Sequence, residues 1–512
     1  MRATYRVKDG DITVGFIIEG PIFYNSYRTR KNINEISNLT ITQNGIIKAK
    51  KKLPEIQYSV VQNRLYKELV KENPFVRDIG NRLLAWKNNK LHGVLQLKGA
   101  RQIGKTTELL KFGYKNYSHV VYVDLSNDVY GFVPTVINKG CTILDMDRYC
   151  KEANLPPYVN NKKTLLIIDE IQIDSTVYNS IRTLQRNLSC DIIVTGSYLG
   201  FTLQKQYFHP AGITYLTMSP LSFSEFCRVF KKEKLLKEID LNGESTDTDY
   251  NDLMHLYEVY RQIGGYPSVV KQYLHTKNIK ESMNTIGALL ETFAQESANY
   301  IEDINKSDVL RIVYQTIAID MCNEKRGAGN DIINAIFKKV DDIRHIISKK
   351  EIKVAVSWLL NSGIISSANL YVEGDLLKEL PSRRLYFSDC GMLSYILEKT
   401  AEPKSVIEGI ITENFAYTEL KHLYTDKKVK GSTPCFSTKD NYELDFVVIA
   451  EDNTVYGIET KTTKGSIKSL HYFLDKKCVN KGIVAKKSKG GETNNIKTIP
   501  IFAIGCRFPY IN

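Results

Sequence analysis

Residues 99–107 read Gly99-Ala100-Arg101-Gln102-Ile103-Gly104-Lys105-Thr106-Thr107, and the stretch through Thr106 matches G-x-x-x-x-G-K-[ST] in full. Phosphate binding is the chemistry that needs this spacing. Two glycines let main-chain N–H groups turn inward around phosphate oxygens, and a helix starting beside the second adds partial positive charge. Lys105 is placed to bridge the β- and γ-phosphates of a nucleotide, and the Thr106 hydroxyl to hold Mg²⁺. A glycine turn beside a surface lysine gives the same letters, but the flanks argue for the loop. The apolar run Val94 to Leu97 leads in, and Thr107-Glu-Leu-Leu-Lys-Phe112 reads as a helix leading out. A partner motif follows in Thr164-Leu-Leu-Ile-Ile-Asp169-Glu170, an apolar strand that ends in two carboxylates. Asp169 would complete the magnesium shell and Glu170 would polarise the attacking water as general base; a solvated strand end or a helix cap is the plainer alternative. The next apolar run, Asp191 to Val194, ends in Thr195-Gly196-Ser197, where a hydroxyl either senses the γ-phosphate and orients water or belongs to an ordinary turn.

A second set of chemical residues stands at Glu413, Asp445, Glu459 and Lys461. Asp445 lies in the strand-like run Tyr442-Glu-Leu-Asp445-Phe-Val-Val448, and Glu459-Thr460-Lys461 ends the next one. In an extended strand residues i and i+2 share a face, so Glu459 and Lys461 point the same way. Asp445 and Glu459 converging there would bind Mg²⁺, and the ammonium would stabilise an anionic transition state or help activate water. This is the D…E-x-K arrangement of restriction-endonuclease-like nucleases, with Glu413 on a preceding helix as an added ligand. Alternating charged and apolar residues on a half-exposed strand produce the same text. Lys464, Lys468, Lys476, Lys477, Lys486, Lys487 and Lys489 follow, and they either neutralise backbone phosphates or form a solvated face.

The elements that must position these residues are legible in outline. Short apolar runs at Gly93 to Lys98, Val120 to Leu125, Thr164 to Asp169 and Asp191 to Thr195 alternate with amphipathic stretches, the rhythm of a parallel sheet covered by helices. Three strand ends with polar chemistry then lie on one edge, where open α/β sheets bind their ligands. Residues 1–60 read as short strands with turns at Asp9-Gly10, Gly20-Pro21 and Asn44-Gly45, ending in the basic run Lys48 to Lys52. Residues 228–258 are charged and polar, an excursion or a helical connector. After Gly264-Gly265-Tyr266-Pro267 the text is helical to about residue 365, then shows a short hairpin around Tyr371 to Tyr386, a sequence of elements compatible with a winged helix. A helix at Ile410 to Leu423 and strands at Glu443 to Ile449 and Thr454 to Thr460 read as a separate α/β unit.

GARQIGKTT, LLIIDEIQ, VTGSYLG, YLTMSPLSFSEF (Tyr215 to Phe226), GGYP and Tyr386-Phe-Ser-Asp389-Cys-Gly-Met-Leu together resemble the prokaryotic AAA-type ATPases that carry a carboxy-terminal domain of unknown function. The likeness runs from about residue 75 to near the end. It implies a multidomain α/β protein: a P-loop ATPase core, a winged-helix-like segment and a restriction-endonuclease-like domain. The division is then 1–60 as a small basic accessory module, 61–270 as the ATPase domain, 271–400 as the helical and winged region, and 405–512 as the nuclease-like domain. Arg101 belongs to the family pattern without an assigned role. Arg182 and Arg186, on the helix after the second motif, either reach a neighbouring subunit's nucleotide or are solvated, so no arginine finger is identified.

Composition sets outer bounds. At 512 residues, 43% apolar and 25% charged, the chain has room for several ordinary globular domains and is neither fibrous nor disordered. No apolar run approaches the roughly eighteen residues needed to cross a bilayer, and the amino terminus lacks a signal-peptide stretch, which gives a cytoplasmic expectation with no membrane partner. Nine cysteines without a Cys-x-x-Cys pair, and eight histidines not clustered with them at a zinc-like spacing, argue against a zinc or disulfide framework. The net charge of +13 favours anionic partners such as DNA or another nucleic acid. The flanks carry much of it, with ten basic and five acidic residues in 1–60, and sixteen and twelve in 405–512. The expectation is an Mg-dependent ATPase with ATP and Mg as cofactors, a homo-oligomer among its possible states, coupled to a nuclease-like, nucleic-acid-interacting domain. The alternative is a nucleotide switch that sets an assembly state, with a catalytically silent terminal module.

Overall fold

The computed structural model describes residues 3–9, 12–18, 55–153, 155, 158–196, 212–300, 307–323, 336–338, 348–372, 384–463 and 465–510. The chain divides into two compact units, Met1–Met218 and Ser219–Asn512. In the first, strands β1 (Ala3–Asp9) and β2 (Ile12–Ile18) pair antiparallel with Asp9 opposite Ile12. Strand character near the amino terminus is thus present, whereas Gly20-Pro21, Asn44-Gly45 and Lys48 to Lys52 lie outside the described residues. Helix α1 (Glu55–Glu72) already begins before residue 60, so the strand-rich text gives way to helix earlier than the sequence suggested.

The core of this unit is a five-stranded parallel sheet of β3 (Val94–Lys98), β4 (His119–Asp124), β5 (Thr164–Asp169), β6 (Asp191–Thr195) and β7 (Ile213–Thr217), in the order β4-β5-β6-β3-β7. The four anticipated apolar runs are four of these strands. Their near-continuous Val, Ile and Leu content follows from burial on both faces, and every residue of β5 is buried. Edge strand β7 was not foreseen as a strand because it is half exposed and reads as an alternation. Helices α2 (Ile79–Asn88), α3 (Lys105–Asn116), α4 (Ile143–Glu152) and α5 (Ile181–Asn187) belong to the same unit. A capping box between Thr142 and Asp145 starts α4, whose Met146, Tyr149 and Cys150 pack into the sheet's core.

The second unit opens with helices α6 (Phe223–Val229), α7 (Asp247–Ile263), α8 (Pro267–Thr276), α9 (Ile279–Tyr300), α10 (Ser307–Asn323) and α11 (Lys349–Asn361). The charged stretch 228–258 is therefore largely helical. Strand β8 (Ile365–Ser367) pairs antiparallel with β10 (Leu385–Phe387), so of the hairpin expected around Tyr371 to Tyr386 the second strand is present but its partner lies ahead of Tyr371; the short β9 (Asn369–Leu370) goes elsewhere, and residues 373–383 lie outside the described residues. Helix α12 (Cys390–Leu397) then leads to α13 (Lys404–Thr425), longer than the sequence indicated and buried along most of its second half, as befits a helix with no polar stripe. A mixed sheet follows: β11 (Val429–Lys439), β12 (Tyr442–Ala450) and β13 (Val455–Lys461) form an antiparallel meander. Helix α14 (Lys468–Asp475) crosses over to β14 (Lys481–Lys486), which runs parallel to β13 and to β16 (Ile496–Pro500). With β15 (Gly491–Thr493) at one edge and β9 at the other, the order is β15-β16-β14-β13-β12-β11-β9.

Candidate nucleotide site

The loop between β3 and α3 has the backbone its glycines permit. Gly99 stands at φ 151°, and a Cβ there would fall 2.3 Å from the Met218 carbonyl oxygen. Gly104 stands at φ 93° as the N-cap of α3, and Gln102 between them is also left-handed at φ 62°. The loop thus turns its chain onto the amino end of a helix, where free N–H groups attract anions. Ile103 is fully buried and anchors the loop from beneath, and the buried Arg77 guanidinium donates to its carbonyl at 3.1 Å. Lys105 is 6% exposed, and its Nζ donates to the carbonyls of Gly99 at 2.9 Å and Ala100 at 2.7 Å. Burial brings its pKa down to about 8, against the opposing pull of the Asp169 and Glu170 carboxylates.

The acid pair meets this loop. The Thr106 hydroxyl donates to Asp169 Oδ2 at 2.6 Å across 63 positions of sequence, and the Tyr122 hydroxyl donates to the same oxygen at 3.1 Å. Burial raises the Asp169 carboxyl pKa; the Thr106 hydrogen bond opposes that shift. Glu170 is half-buried in the left-handed conformation at φ 52°, its amide donates to Asp169 Oδ1 at 2.8 Å, and its carboxylate accepts from the Gln172 carboxamide. Asp124, in register with Asp169 on the neighbouring strand, adds a third carboxylate to this edge. Thr195 ends β6 fully buried, with its hydroxyl donating to the Leu97 carbonyl at 3.0 Å; Ser197 lies outside the described residues. Arg182 and Arg186 are exposed on α5.

In the second unit the four residues of the D…E-x-K set are each held by a different neighbour. Asp445 Oδ2 accepts from the Thr460 amide at 2.7 Å and hydroxyl at 2.8 Å, and the Lys461 ammonium donates to Glu459 at 2.6 Å. The Tyr386 hydroxyl donates to Glu413 at 2.8 Å. Burial pushes the Tyr386 phenol pKa well up, and the Glu413 and Asp445 carboxylates add to the rise, so these two acids lie around one phenol. Asp445 and Glu459 are both 1% exposed. Among the described residues, no three His, Cys, Asp or Glu side chains are grouped so as to hold a metal ion. The flanking lysines divide: Lys487 pairs with Glu258 at 2.8 Å and Lys489 with Asp247 at 2.6 Å, whereas Lys468, Lys476 and Lys477 are exposed and Lys464 lies outside the described residues.

Residues 92–227 match the family model described as "AAA domain". The chain carries an AAA-type ATPase domain. Residues 254–403 and 408–504 match two further models, each described as a domain of unknown function, DUF8612 and DUF4143. No curated protein matches the chain. Among solved structures, a Walker-type ATPase of Pyrococcus abyssi is 14% identical, with 63% of this chain and 95% of that one covered at a TM-score of 0.40. The RuvB Holliday junction branch migration motor of Thermotoga maritima is 15% identical over 57% and 89%, at 0.27. The ORC1 protein of Aeropyrum pernix, solved in complex with DNA, is 13% identical over 71% and 93%, also at 0.27. Among the described residues, no helix is long and apolar enough to cross a membrane.

The AAA domain contains site residues that no motif announced. Tyr122 and Asp124 alternate along β4 and so share a face, a pattern visible in the text but indistinguishable from ordinary strand alternation. Gln172 sits in the quoted LLIIDEIQ segment, yet only the fold brings its side chain against both Glu170 and Gly196. Arg77 lies upstream of the matched region and had no signal at all.

Proposed function

We propose that the AAA domain binds Mg·ATP between Gly99–Thr107 and Asp169–Glu170 and hydrolyses it by in-line attack of water. The hydrogen bond from Thr106 to Asp169 carries this reading, since it joins the two motifs at one point. A hydroxyl and a carboxylate side by side are hard oxygen donors of the kind Mg²⁺ takes, so Thr106 and Asp169 fit that ion, which when bound would neutralise charge on the phosphates. Main-chain amides of residues 99–106 would cradle the phosphates, with Ala100, Arg101, Gln102 and Ile103 contributing backbone and Thr107 closing the first turn of α3. The Lys105 ammonium would exchange its two loop carbonyls for phosphate oxygens. Glu170 would orient the attacking water and take its proton. Thr195, hydrogen-bonded to β3, would position the sheet edge from beneath, and Ser197 remains a candidate for the sensor role.

For the second unit the reading is a winged-helix-like segment (α10, α11 and the β8/β10 hairpin) followed by a restriction-endonuclease-like, nucleic-acid-interacting domain. The order of α13, the β11-β12-β13 meander, α14 and the parallel β14 supports it, with Asp445 and Glu459-x-Lys461 on adjacent strands and Glu413 on the preceding helix. A second reading, a catalytically silent module under nucleotide control, is favoured by the way each carboxylate is already tied to Tyr386, Thr460 or Lys461. Lys105→Ala should lower ATP turnover on the order of a hundredfold or more with the fold intact by circular dichroism; undiminished turnover would place the site elsewhere. Mg²⁺-dependent cleavage of plasmid and single-stranded DNA, compared in wild type and Asp445→Ala, separates the two readings. Cleavage lost in the variant supports a nuclease, and no cleavage in any nucleotide state supports the silent module.

A further inference from the structure

A cavity of about 390 Å³ opens at the carboxyl ends of β13 and β14, a volume within the range of about 300–1,000 Å³ usual for small-molecule sites. Lys461 and Lys486 are the last residues of their strands and stand in register across the parallel pair. Their Cα atoms are therefore about 4.8 Å apart and their side chains leave the sheet on the same face; both line the cavity. His471 of α14 contributes its imidazole to the same wall, Thr498 and Asn494 supply neutral donors, and no Asp or Glu is among the lining residues. Two cationic side chains thus share this strand end, and only one of them has an acidic partner among the described residues. Lys461 is paired with Glu459. The half-buried Lys486 has no ion-pair or hydrogen-bond partner for its ammonium among the described residues, whereas its neighbours Lys487 and Lys489 each have an acidic one. An ammonium beside a second cation and without an acidic partner is open to an anionic ligand, with which it would make a charge-assisted contact. Below the cations, Val484 and Ile496 give the cavity an apolar floor.

We infer that this cavity is a binding site for a phosphate-bearing nucleotide unit, with the phosphate between Lys486, Lys461 and His471 and the apolar part of the ligand against Val484 and Ile496. The unit is either a free mononucleotide or the 5′-phosphorylated end of a nucleic-acid strand, since both present the same dianion on a nucleoside. This goes beyond the nuclease-like reading, because it needs no metal and no bond cleavage, and a chain that never cuts DNA can still bind here.

The test uses the full chain carrying Lys105→Ala, which disables the loop of the AAA domain, and follows fluorescence anisotropy of a 3′-labelled dT10 bearing either a 5′-phosphate or a 5′-hydroxyl, with dTMP as competitor. Lys486→Ala, and more strongly Lys486→Glu, should weaken binding of the phosphorylated probe about tenfold or more, the size of a lost charge-assisted contact. A preference for the 5′-phosphate that vanishes in Lys486→Ala identifies a strand end. Displacement by dTMP, with no preference between the two oligonucleotides, identifies a free nucleotide. Equal affinities for all probes in Lys105→Ala with and without either Lys486 substitution, or no binding of either ligand, overturn the proposal. The circular dichroism of Lys486→Ala and the unfolding of its second unit should match those of the unsubstituted chain, which verifies folding of the unit that holds the cavity, and unchanged ATP turnover separates this outcome from a failure of the ATPase reading.

Discussion

In the proposed ATP site one ammonium, that of Lys105, serves a buried loop and an anionic ligand at once. Its burial beside Gly99 and Ala100 carbonyls disfavours the charged form, and the nearby carboxylates of Asp169 and Glu170 only partly restore it, leaving the pKa at about 8. Phosphate needs the protonated form. Binding a polyanion therefore raises this pKa, and by linkage nucleotide affinity must fall as pH climbs through the value of the free site. Between pH 7 and pH 9 the apparent Kd for ATP should rise about tenfold, from the protonated fraction alone. Titration calorimetry at the two pH values measures this, with Lys105→Ala showing no such slope above pH 7. A pH-independent Kd in the unsubstituted chain would mean that the ammonium makes no charge-dependent contact with the nucleotide. The neighbouring carboxylate of Glu170 accepts from the Gln172 carboxamide, so in the proposed reaction this tether would have to open for Glu170 to take a proton from water.

At the scale of elements, the segments YLTMSPLSFSEF, GGYP and Tyr386 to Leu393, which carried only the family resemblance, meet in one joint. Ser222 and Glu225 form a capping box that starts α6, Leu221 donates its amide to the Gly265 carbonyl at 2.8 Å, and the Tyr260 hydroxyl donates to the Leu221 carbonyl at 2.6 Å. Pro267 sits in the first turn of α8, where its missing N–H costs nothing. Asp389 closes the joint by accepting from the Gly265 amide at 2.7 Å and, as N-cap of α12, from the Met392 amide at 3.0 Å. Burial lifts its carboxyl pKa to about 6. Asp389→Asn replaces one of two acceptors with an NH₂ facing an N–H donor, and should cost about 1–3 kcal/mol in urea unfolding. A change within about 0.5 kcal/mol would show the joint to be redundant. The sequence made the sheet of the AAA domain legible because buried parallel strands write unbroken apolar runs, and made the loop legible because Gly99 and Gly104 are fixed by backbone geometry. Strands β11, β14 and β16 left weaker text, being bulged, short or flanked by lysines. The pairing of Lys461 with Lys486 depends on a crossover through α14, a long-range fact that no local spacing records.

For the whole molecule, the division at Met218/Ser219 sets what a nucleotide can stabilise. Every residue assigned to ATP, from Gly99 to Ser197, belongs to the first unit, and each unit has its own buried cluster, around β4-β5-β6 in one and β12-β14 with α14 in the other. Ligand that binds only the folded first unit stabilises it by RT ln(1 + [L]/Kd), about 2.7 kcal/mol at a hundredfold excess over Kd. For a unit of this size that is a shift of about 5–10 °C in its midpoint. Differential scanning calorimetry of the full chain should therefore resolve two transitions, of which Mg·ATP moves one by that amount and leaves the other in place. Lys105→Ala should retain both transitions and lose the shift. If nucleotide moves a single joint transition, the units unfold as one cooperative body, and the free energy of binding is then available to the carboxy-terminal sheet as well. That result would supply the energetic link through which an ATPase could control the Lys461–Lys486 cavity.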